Sequence, residues 1–505
     1  MMLADLTREL PGVVIHGNDR AEISNIVYDS RVVVPGNLFA ALPGADADGH
    51  DYATEAVRRG ASALLVERKL DLGVPEILVA DSRAVLARVA ARFFAHPSRE
   101  LDVIGVTGTD GKTTTSHLID AILRDARMVT GLVGTVQVRI GDQTTTHSSR
   151  QTTPESVDLQ RSLRAMVAAG AGWAILEATS HGLAMHRLDD IDFKIAAVTN
   201  ITHEHLDFHK TIEGYRRAKS ILVSRVAEQG GTVVINVDDP GARSMLAYAA
   251  GATVMTYSAE GRSADLRAGG ITPDRHGSRF TLEAVGRGSV PVDLPMIGNF
   301  NVANALCAIG VAWVAGITPD VAAASLRHAP EVPGRMARIN HEQPFAVIVD
   351  YAHTPDALHK VLALLRRHHP AGRLIAVFGS AGERDRAKRP RQGAIAADLA
   401  DFAVFTSEDP RHEDPDAIIA EIASGAMSAG WEVGRDFVCL TDRREAIRYA
   451  FVMAGPNDCV LLAGKGHEDC IIWGREKRPW DEAAVARDEL TGLGYGSHPG
   501  RETSL

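Results

Sequence analysis

The sequence predicts an α/β protein with parallel sheets, arranged in three domains. Three observations predict it. Short β-branched apolar runs recur at 101–107, 173–178, 195–200, 232–236, 345–350, 373–379, 401–406 and 458–464. Amphipathic helical stretches separate the runs, and Gly- or Asp-rich loops follow them. Continuous apolar strands between helices are the pattern of a parallel sheet covered on both faces. Finally, 505 residues at roughly 100–200 per domain suggest about three domains. One boundary is expected near 97–101, where HPSRE precedes a strand, and another near 333–340, around PGRMARIN. The domains are then 1–98, 99–335 and 336–505. Residues 258–295 alternate apolar and polar positions and predict a small β excursion, while 495–505 read as a frayed tail.

Bulk composition narrows the function. Apolar residues make up 45% and charged residues 23%, enough to bury several cores. The net charge of −10 argues against a nucleic-acid protein, which needs a basic face, but leaves room for a local anion pocket. Cys307, Cys439, Cys459 and Cys470 form no C-x-x-C pair, so unpaired thiols in a reducing compartment are expected. No apolar run of about 18 residues and no basic leader with an apolar core is present. A cytoplasmic monomer with no membrane span is the expectation.

The strand at 101–107 runs into Gly108-Thr109-Asp110-Gly111-Lys112-Thr113-Thr114 and then a helical stretch. Glycines let backbone N–H groups turn inward around phosphate oxygens, and a helix N-terminus adds its positive end. Lys112 can reach the β- and γ-phosphates, and a Thr hydroxyl can hold Mg²⁺. The usual G-x-x-x-x-G-K-[ST] spacing would need Gly at Val106, so the loop is a shorter form. Glu177 lies near a strand end, where a carboxylate serves either as a Mg²⁺ ligand or as a structural acid. His203, His205 and His209 have a zinc-like H-x-H start, but neither Cys nor a helical H-E-x-x-H accompanies them. By composition alone, Lys219 is a solvated helix charge, Asn301 a helix cap, and the D-S-R turn at 29–31 uninformative.

TGTDGKTTT resembles the T-G-T-N-G-K-T-T signature of the Mur ligases and their relatives, the folylpolyglutamate synthetases, with Asp110 in place of the usual Asn. NITHEHLD is similar to that family's N-x-T-x-D-H-L-D, with Glu204 at the Asp position. GNFNVANA, VPGRM and VDYAHTPDAL are similar to its later motifs. The resemblance implies ATP contacts at residues 108–114 and at Asn301, Asn304, Arg335 and Asp350. It makes Thr113, Glu177 and His205 Mg²⁺ ligands. It also implies that Lys219 is carbamylated by CO₂, becoming an anion able to bind Mg²⁺. Lys112, Glu177, His205 and Lys219 become the catalytic set.

The same resemblance assigns the other substrates. Tyr28-Asp29-Ser30-Arg31 looks like a uridine-diphosphate-binding N-terminal domain, with Ser30 on the nucleotide. Gln151 (where Asn is common), Thr152, Thr153, Thr179, Met185 (where Gln is usual) and Arg187 align with contacts to the muramoyl dipeptide UDP-MurNAc-L-Ala-D-Glu. An Arg at 187 can pair bidentately with a carboxylate. Arg384, Glu408-Asp409-Pro410-Arg411, Gly464 and Glu468 fall on amino-acid-binding positions. Relatives that add diaminopimelate carry D-N-P-R there. A guanidinium at 411 suits the distal carboxylate of meso-diaminopimelate, which lysine and ornithine lack. Asp409 works the other way, since it could attract a terminal ammonium, so L-ornithine and L-lysine remain alternatives.

The resemblance spans Ser30 to Glu468. It implies an N-terminal UDP-binding α/β domain, a central P-loop ATPase-like domain and a C-terminal Rossmann-like domain. The implied reaction is ATP-dependent addition of the third amino acid to a cell-wall peptidoglycan precursor through an acyl phosphate. The rivals are a folylpolyglutamate synthetase-like ligase and a catalytically silent nucleotide-binding protein.

Overall fold

A computed structural model describes residues 1–44, 47–145, 151–202, 204–273 and 277–496. His203 and most of the predicted C-terminal tail lie outside the described residues. The architecture is α/β, with three main sheets. All eight apolar runs are strands, shortened by a residue or so at their ends or, at Phe193–Val198, shifted by two.

The N-terminal sheet has five strands in the order Val14–His16, Glu76–Leu78, Ala63–Val66, Asn37–Ala40, Asn25–Val27. Its first edge strand is antiparallel and the rest are parallel. Separate apolar clusters form around Leu38 and Leu65 and around Phe39 and Leu64, as period-two side-chain alternation requires when both faces are covered.

The central sheet has eleven strands. Its parallel heart runs Thr253–Ser258, Thr232–Asn236, Phe193–Val198, Asp102–Thr107, Trp173–Glu177, Thr130–Val133. The chain starts at Asp102–Thr107, first builds outward on one side, then crosses to Phe193–Val198 on the other. Asp102–Thr107 is therefore the switch point, where the loops leaving the strand C-termini diverge and open a ligand crevice. The predicted β excursion is three strands, Leu266–Pro273, Ser278–Ala284 and Gly288–Leu294, added to one edge.

The C-terminal sheet runs Ala337–Ile339, Ala346–Asp350, Cys459–Ala463, Leu374–Phe378, Phe402–Phe405, Phe437–Cys439, parallel except at the first strand. Apolar clusters cover both of its faces. A hairpin, Cys470–Trp473 with Glu476–Pro479, follows.

The chain divides into two compact units. The N-terminal and central sheets share one, and the other is mainly 330–505 with the short segments 272–278 and 295–298. Inside the first unit the two sheets are stitched together. Tyr28 donates its hydroxyl to Asp158 at 2.5 Å, and Arg83 pairs with Glu155 at 2.9 Å. Val157 joins the N-terminal core.

Candidate active site

The phosphate loop is shaped by two glycines that no other residue could replace without strain. Gly108 has φ +156°, and a Cβ there would sit 1.8 Å from Thr199 Oγ1. Gly111 has φ +84° and stands before the first residue of the Lys112–Asp125 helix. A Cβ on it would lie 2.4 Å from Asn304 Oδ1. The loop is pinned from the next strand end. Thr109 N donates to Asn200 O at 2.7 Å, Asp110 N to Asn200 Oδ1 at 2.9 Å, and Thr199 Oγ1 to Asp110 O at 2.6 Å. Asn301 and Asn304 are buried inside the Asn299–Val314 helix, so Asn301 is not its cap. Asn304 donates to Asn301 at 3.2 Å and accepts from Thr115 at 3.3 Å.

Two ammonium groups meet one carbonyl. Lys112 Nζ donates to Gly108 O at 3.0 Å and to Thr109 O at 2.8 Å. Lys219 Nζ donates to Gly108 O at 2.6 Å. Lys219 is 1% exposed, far from the solvated charge that composition suggests. Burial, reinforced by Lys112, holds its amine well below the usual lysine range. The Tyr215 ring lies 4.7 Å beneath Nζ, and the Tyr215 hydroxyl meets Thr109 Oγ1 at 3.0 Å.

Glu177 ends its strand 1% exposed. It accepts from Thr113 Oγ1 at 3.0 Å and from Thr135 N and Oγ1, each at 2.8 Å. Among the described residues no cation pairs with it. Thr135 Oγ1 also lies 3.0 Å from the Thr152 hydroxyl, from which it can accept, linking Glu177 to the T-T-P segment. Thr153 bonds to Glu177 O at 2.7 Å and to Thr179 Oγ1 at 2.9 Å, and Thr179 caps the short helix Ser180–Ala184. His205 has φ +54° and a half-exposed ring. Its ring centroid is 4.6 Å from that of His181, and its Nε2 is 3.7 Å from Glu204. Among the described residues no three His, Cys, Asp or Glu side chains form a metal cluster. The Glu177 set is instead a buried carboxylate with threonine hydroxyls, hard oxygens of the kind Mg²⁺ prefers.

Arg187 is buried, and its Nε lies 3.0 Å from Glu155 Oε1, with Nη1 donating to Thr153 O at 3.0 Å. An internal carboxylate thus stands where a substrate carboxylate was expected. Met185 Sδ accepts from Arg187 at 3.7 Å, Gln151 is exposed, and Ser30 is buried in the short helix Ser30–Val32 of the N-terminal domain.

The remaining predicted residues belong to the second unit. Asp350 is buried and accepts from Met336 N at 2.7 Å and Ala352 N at 2.8 Å. Burial raises its carboxyl pKa, against the opposing pull of Arg335. Arg335 stacks 5.0 Å over the Tyr351 ring. Arg384 is exposed, with no ion pair among the described residues. Glu408, Asp409 and Pro410 are buried, and Gly464, at φ +102°, faces Glu408, a Cβ there falling 3.0 Å from its Oε2. Arg411 has φ +54° and a buried Nε–H with no acceptor. Burial pushes the Glu468 carboxyl up even though Lys465 lies beside it.

Sequence reasoning missed several residues that build this geometry. Thr135, Tyr215 and Glu155 carry no motif. Lys465 lies within GKGHED, but its bond to Asp409, at 2.9 Å, crosses 56 positions. Arg443, fully buried and paired with the buried Glu482, donates to the carbonyls of Ser407 and Ala463, just before Glu408 and Gly464.

The chain matches the Mur ligase middle domain over residues 106–312, the Mur ligase glutamate ligase domain over 334–466 and the Mur ligase family catalytic domain over 22–94. It is 47% identical to the UDP-N-acetylmuramyl-tripeptide synthetase of Roseiflexus sp. (strain RS-1), covering 94% of this chain and 96% of that one. It is 42% identical to the UDP-N-acetylmuramoyl-L-alanyl-D-glutamate--2,6-diaminopimelate ligase of Streptomyces coelicolor, covering 97% and 96%. A solved structure of a ligase of that same name superposes with a TM-score of 0.66 at 32% identity, covering 98% and 99%. MurF ligase from Thermotoga maritima in complex with ADP shares the fold, with a TM-score of 0.63 at 20% identity over 93% and 96%.

Proposed function

Because the chain belongs to the Mur ligase family, an ATP-dependent ligase family, we propose that it joins meso-2,6-diaminopimelate to the D-Glu γ-carboxyl of UDP-MurNAc-L-Ala-D-Glu. The product is a peptidoglycan precursor, and its nucleotide substrates place the reaction in the cytoplasm. The observation that carries the reading is the convergence of Lys112 and Lys219 on the Gly108 carbonyl, with Glu177 bonded to Thr113 just beyond the same loop, at the switch point of a parallel sheet.

Each group has a task. The loop amides and Lys112 bind the triphosphate and offset charge that builds on the transferring phosphoryl group. Asn301 and Asn304 hold the loop from behind, and Arg335 and Asp350 are the further nucleotide contacts that their own motifs imply. A D-Glu carboxylate oxygen attacks the γ-phosphorus, and ADP departs. The amine of the incoming amino acid then attacks the acyl carbon, loses a proton, and expels phosphate. Thr152, Thr153, Thr179 and Arg187 orient the muramoyl dipeptide. Glu155 must yield Arg187 if that guanidinium is to take the substrate carboxylate. Thr113 and Glu177, joined by His205 as the motif implies, would hold Mg²⁺, which when bound would screen the phosphate oxygens. An uncharged amine is the form that adds to CO₂, and burial shifts Lys219 toward it, so its carbamate would supply a further anionic oxygen. Arg411, with its unmatched N–H, reads the distal carboxylate of the diamino acid, alongside Arg384, Gly464 and Glu468.

The test is phosphate release with ATP and UDP-MurNAc-L-Ala-D-Glu fixed, comparing meso-diaminopimelate, L-lysine and L-ornithine. Turnover driven by diaminopimelate is expected. Turnover with lysine or ornithine instead would keep the ligase and remove the role given to Arg411. No release with any amino acid would sink the ligase reading.

A further inference from the structure

Asp409 stands two residues before Arg411 in the loop proposed above to bind the amino acid. A free carboxylate beside Arg411 would repel a substrate carboxylate and attract an ammonium. The structure gives that charge a counter-ion. Lys465 Nζ is 0% exposed and donates to Asp409 Oδ1 at 2.9 Å and to Glu468 Oε2 at 2.5 Å. The same Asp409 oxygen accepts from Ile472 N at 3.0 Å, and Ile472 O accepts from Arg411 N, also at 3.0 Å. Gly474 N then closes on Arg411 O at 2.6 Å. Asp409 and Arg411 are thus clipped to one residue of the hairpin, and the ammonium lies under the clip.

We infer that Lys465 is a positioning residue that neutralises Asp409 and keeps the Glu408–Arg411 loop a reader of carboxylates rather than ammonium groups. The inference rests on the amino-acid site proposed above and assigns its selectivity to a residue outside the E-D-P-R stretch. A buried ammonium with two carboxylates is strongly held, because removing it strands buried negative charge. Burial pushes the Glu468 carboxyl up while Lys465 pulls it down, so both carboxyl groups lean on the one ammonium.

The experiment is a double-mutant cycle on the full chain: wild type, Lys465→Met, Asp409→Asn and the double variant. For each, kcat and KM are measured for meso-diaminopimelate and for L-lysine by phosphate release. Lys465→Met should raise the diaminopimelate KM and lower the diaminopimelate-to-lysine ratio of kcat/KM by about tenfold. In the double variant the uncompensated charge is gone, and the ratio should return to within about threefold of wild type. A purely structural lysine would damage both Lys465→Met proteins alike, and a double variant as poor in ratio as Lys465→Met overturns the inference. So do equal ratios in all four proteins. A wild type that prefers lysine sinks the diaminopimelate reading separately, and the cycle still decides the coupling.

Discussion

Replacing Arg443 by Met should loosen the second unit more than any surface change. Arg443 and Glu482 are 1% and 0% exposed. Arg443 Nε lies 3.1 and 3.0 Å from the two Glu482 oxygens, and Nη2 lies 2.6 Å from Oε1. The remaining donors serve Ser407 O at 3.2 Å and Ala463 O at 2.8 Å. Methionine removes all five bonds and leaves a buried carboxylate facing the Trp480 indole N–H. Stranding one partner of a buried pair costs about 3–5 kcal/mol, and two carbonyls without donors add about 1 kcal/mol each, so a loss of roughly 5–7 kcal/mol is expected. Arg443→Met/Glu482→Leu removes the stranded charge and should recover most of the loss. Amide hydrogen exchange of Cys459–Ala463 in the full chain reads this locally, which a single melting temperature in a protein of two compact units does not. Because Ser407 and Ala463 precede Glu408 and Gly464, the amino-acid KM should rise while the ATP KM holds. A loss below about 1 kcal/mol, or a double variant as unstable as the single one, would refute the charge-stranding argument.

Four further outcomes are expected. Lys219→Ala should lose at least about 100-fold in turnover and recover part of it with added short carboxylates. Inactivity with every carboxylate tried would remove the carbamate. Gly108→Ala should abolish ATP binding in calorimetry, since its Cβ would meet Thr199 Oγ1, and an unchanged affinity would contradict the tight turn. Tyr28→Phe breaks the bond to Asp158 and should destabilise the first unit by about 1–2 kcal/mol in denaturant melts, against no change if the two sheets are joined by apolar contact alone. His186, half-buried, is raised above its ordinary pKa chiefly by its hydrogen bond to Asp189, aided by the Asp81 charge and opposed by burial and Arg225. Its stabilising contribution is therefore complete below the unfolded pKa of about 6.5 and fades as pH rises through the higher folded value. His186→Gln should flatten the fall in stability as pH rises above about 6.5, and an unaltered slope would show that the pair contributes nothing.

The fold was legible where physics writes it locally. Strands such as Ile175 and Leu461 bury both faces, so their apolar runs stand out in sequence. The five N-terminal strands are three or four residues long, too short for periodicity to declare, and went unmarked. The strands Val138–Ile140 and Gln143–Thr145, the last two at one side of the central sheet, were hidden for the same reason. At the site, the phosphate loop was readable because glycine, lysine and threonine must be adjacent there. Charge pairs across the fold were not. Lys219 read as a surface charge because nothing in its helix reveals that the Gly108 carbonyl, 111 positions earlier, would close over it. Asp409 read as a repulsive carboxylate because Lys465 reaches it only after the sheet has formed.

The stitching of the phosphate loop bears on how the chain is made. Thr109 and Asp110 depend on Asn200, and Gly111 is backed by Asn304 from a helix that begins at residue 299. These contacts span about 90 and 190 residues, so their loop-closure entropy must be met before the turn can hold its left-handed glycines. On the ribosome, the N-terminal sheet can close early, while the nucleotide cradle waits until the helix carrying Asn304 has emerged. A nascent chain stalled before that helix should hold no ATP, and the enzyme gains its energy source only after more than half of it has been synthesised.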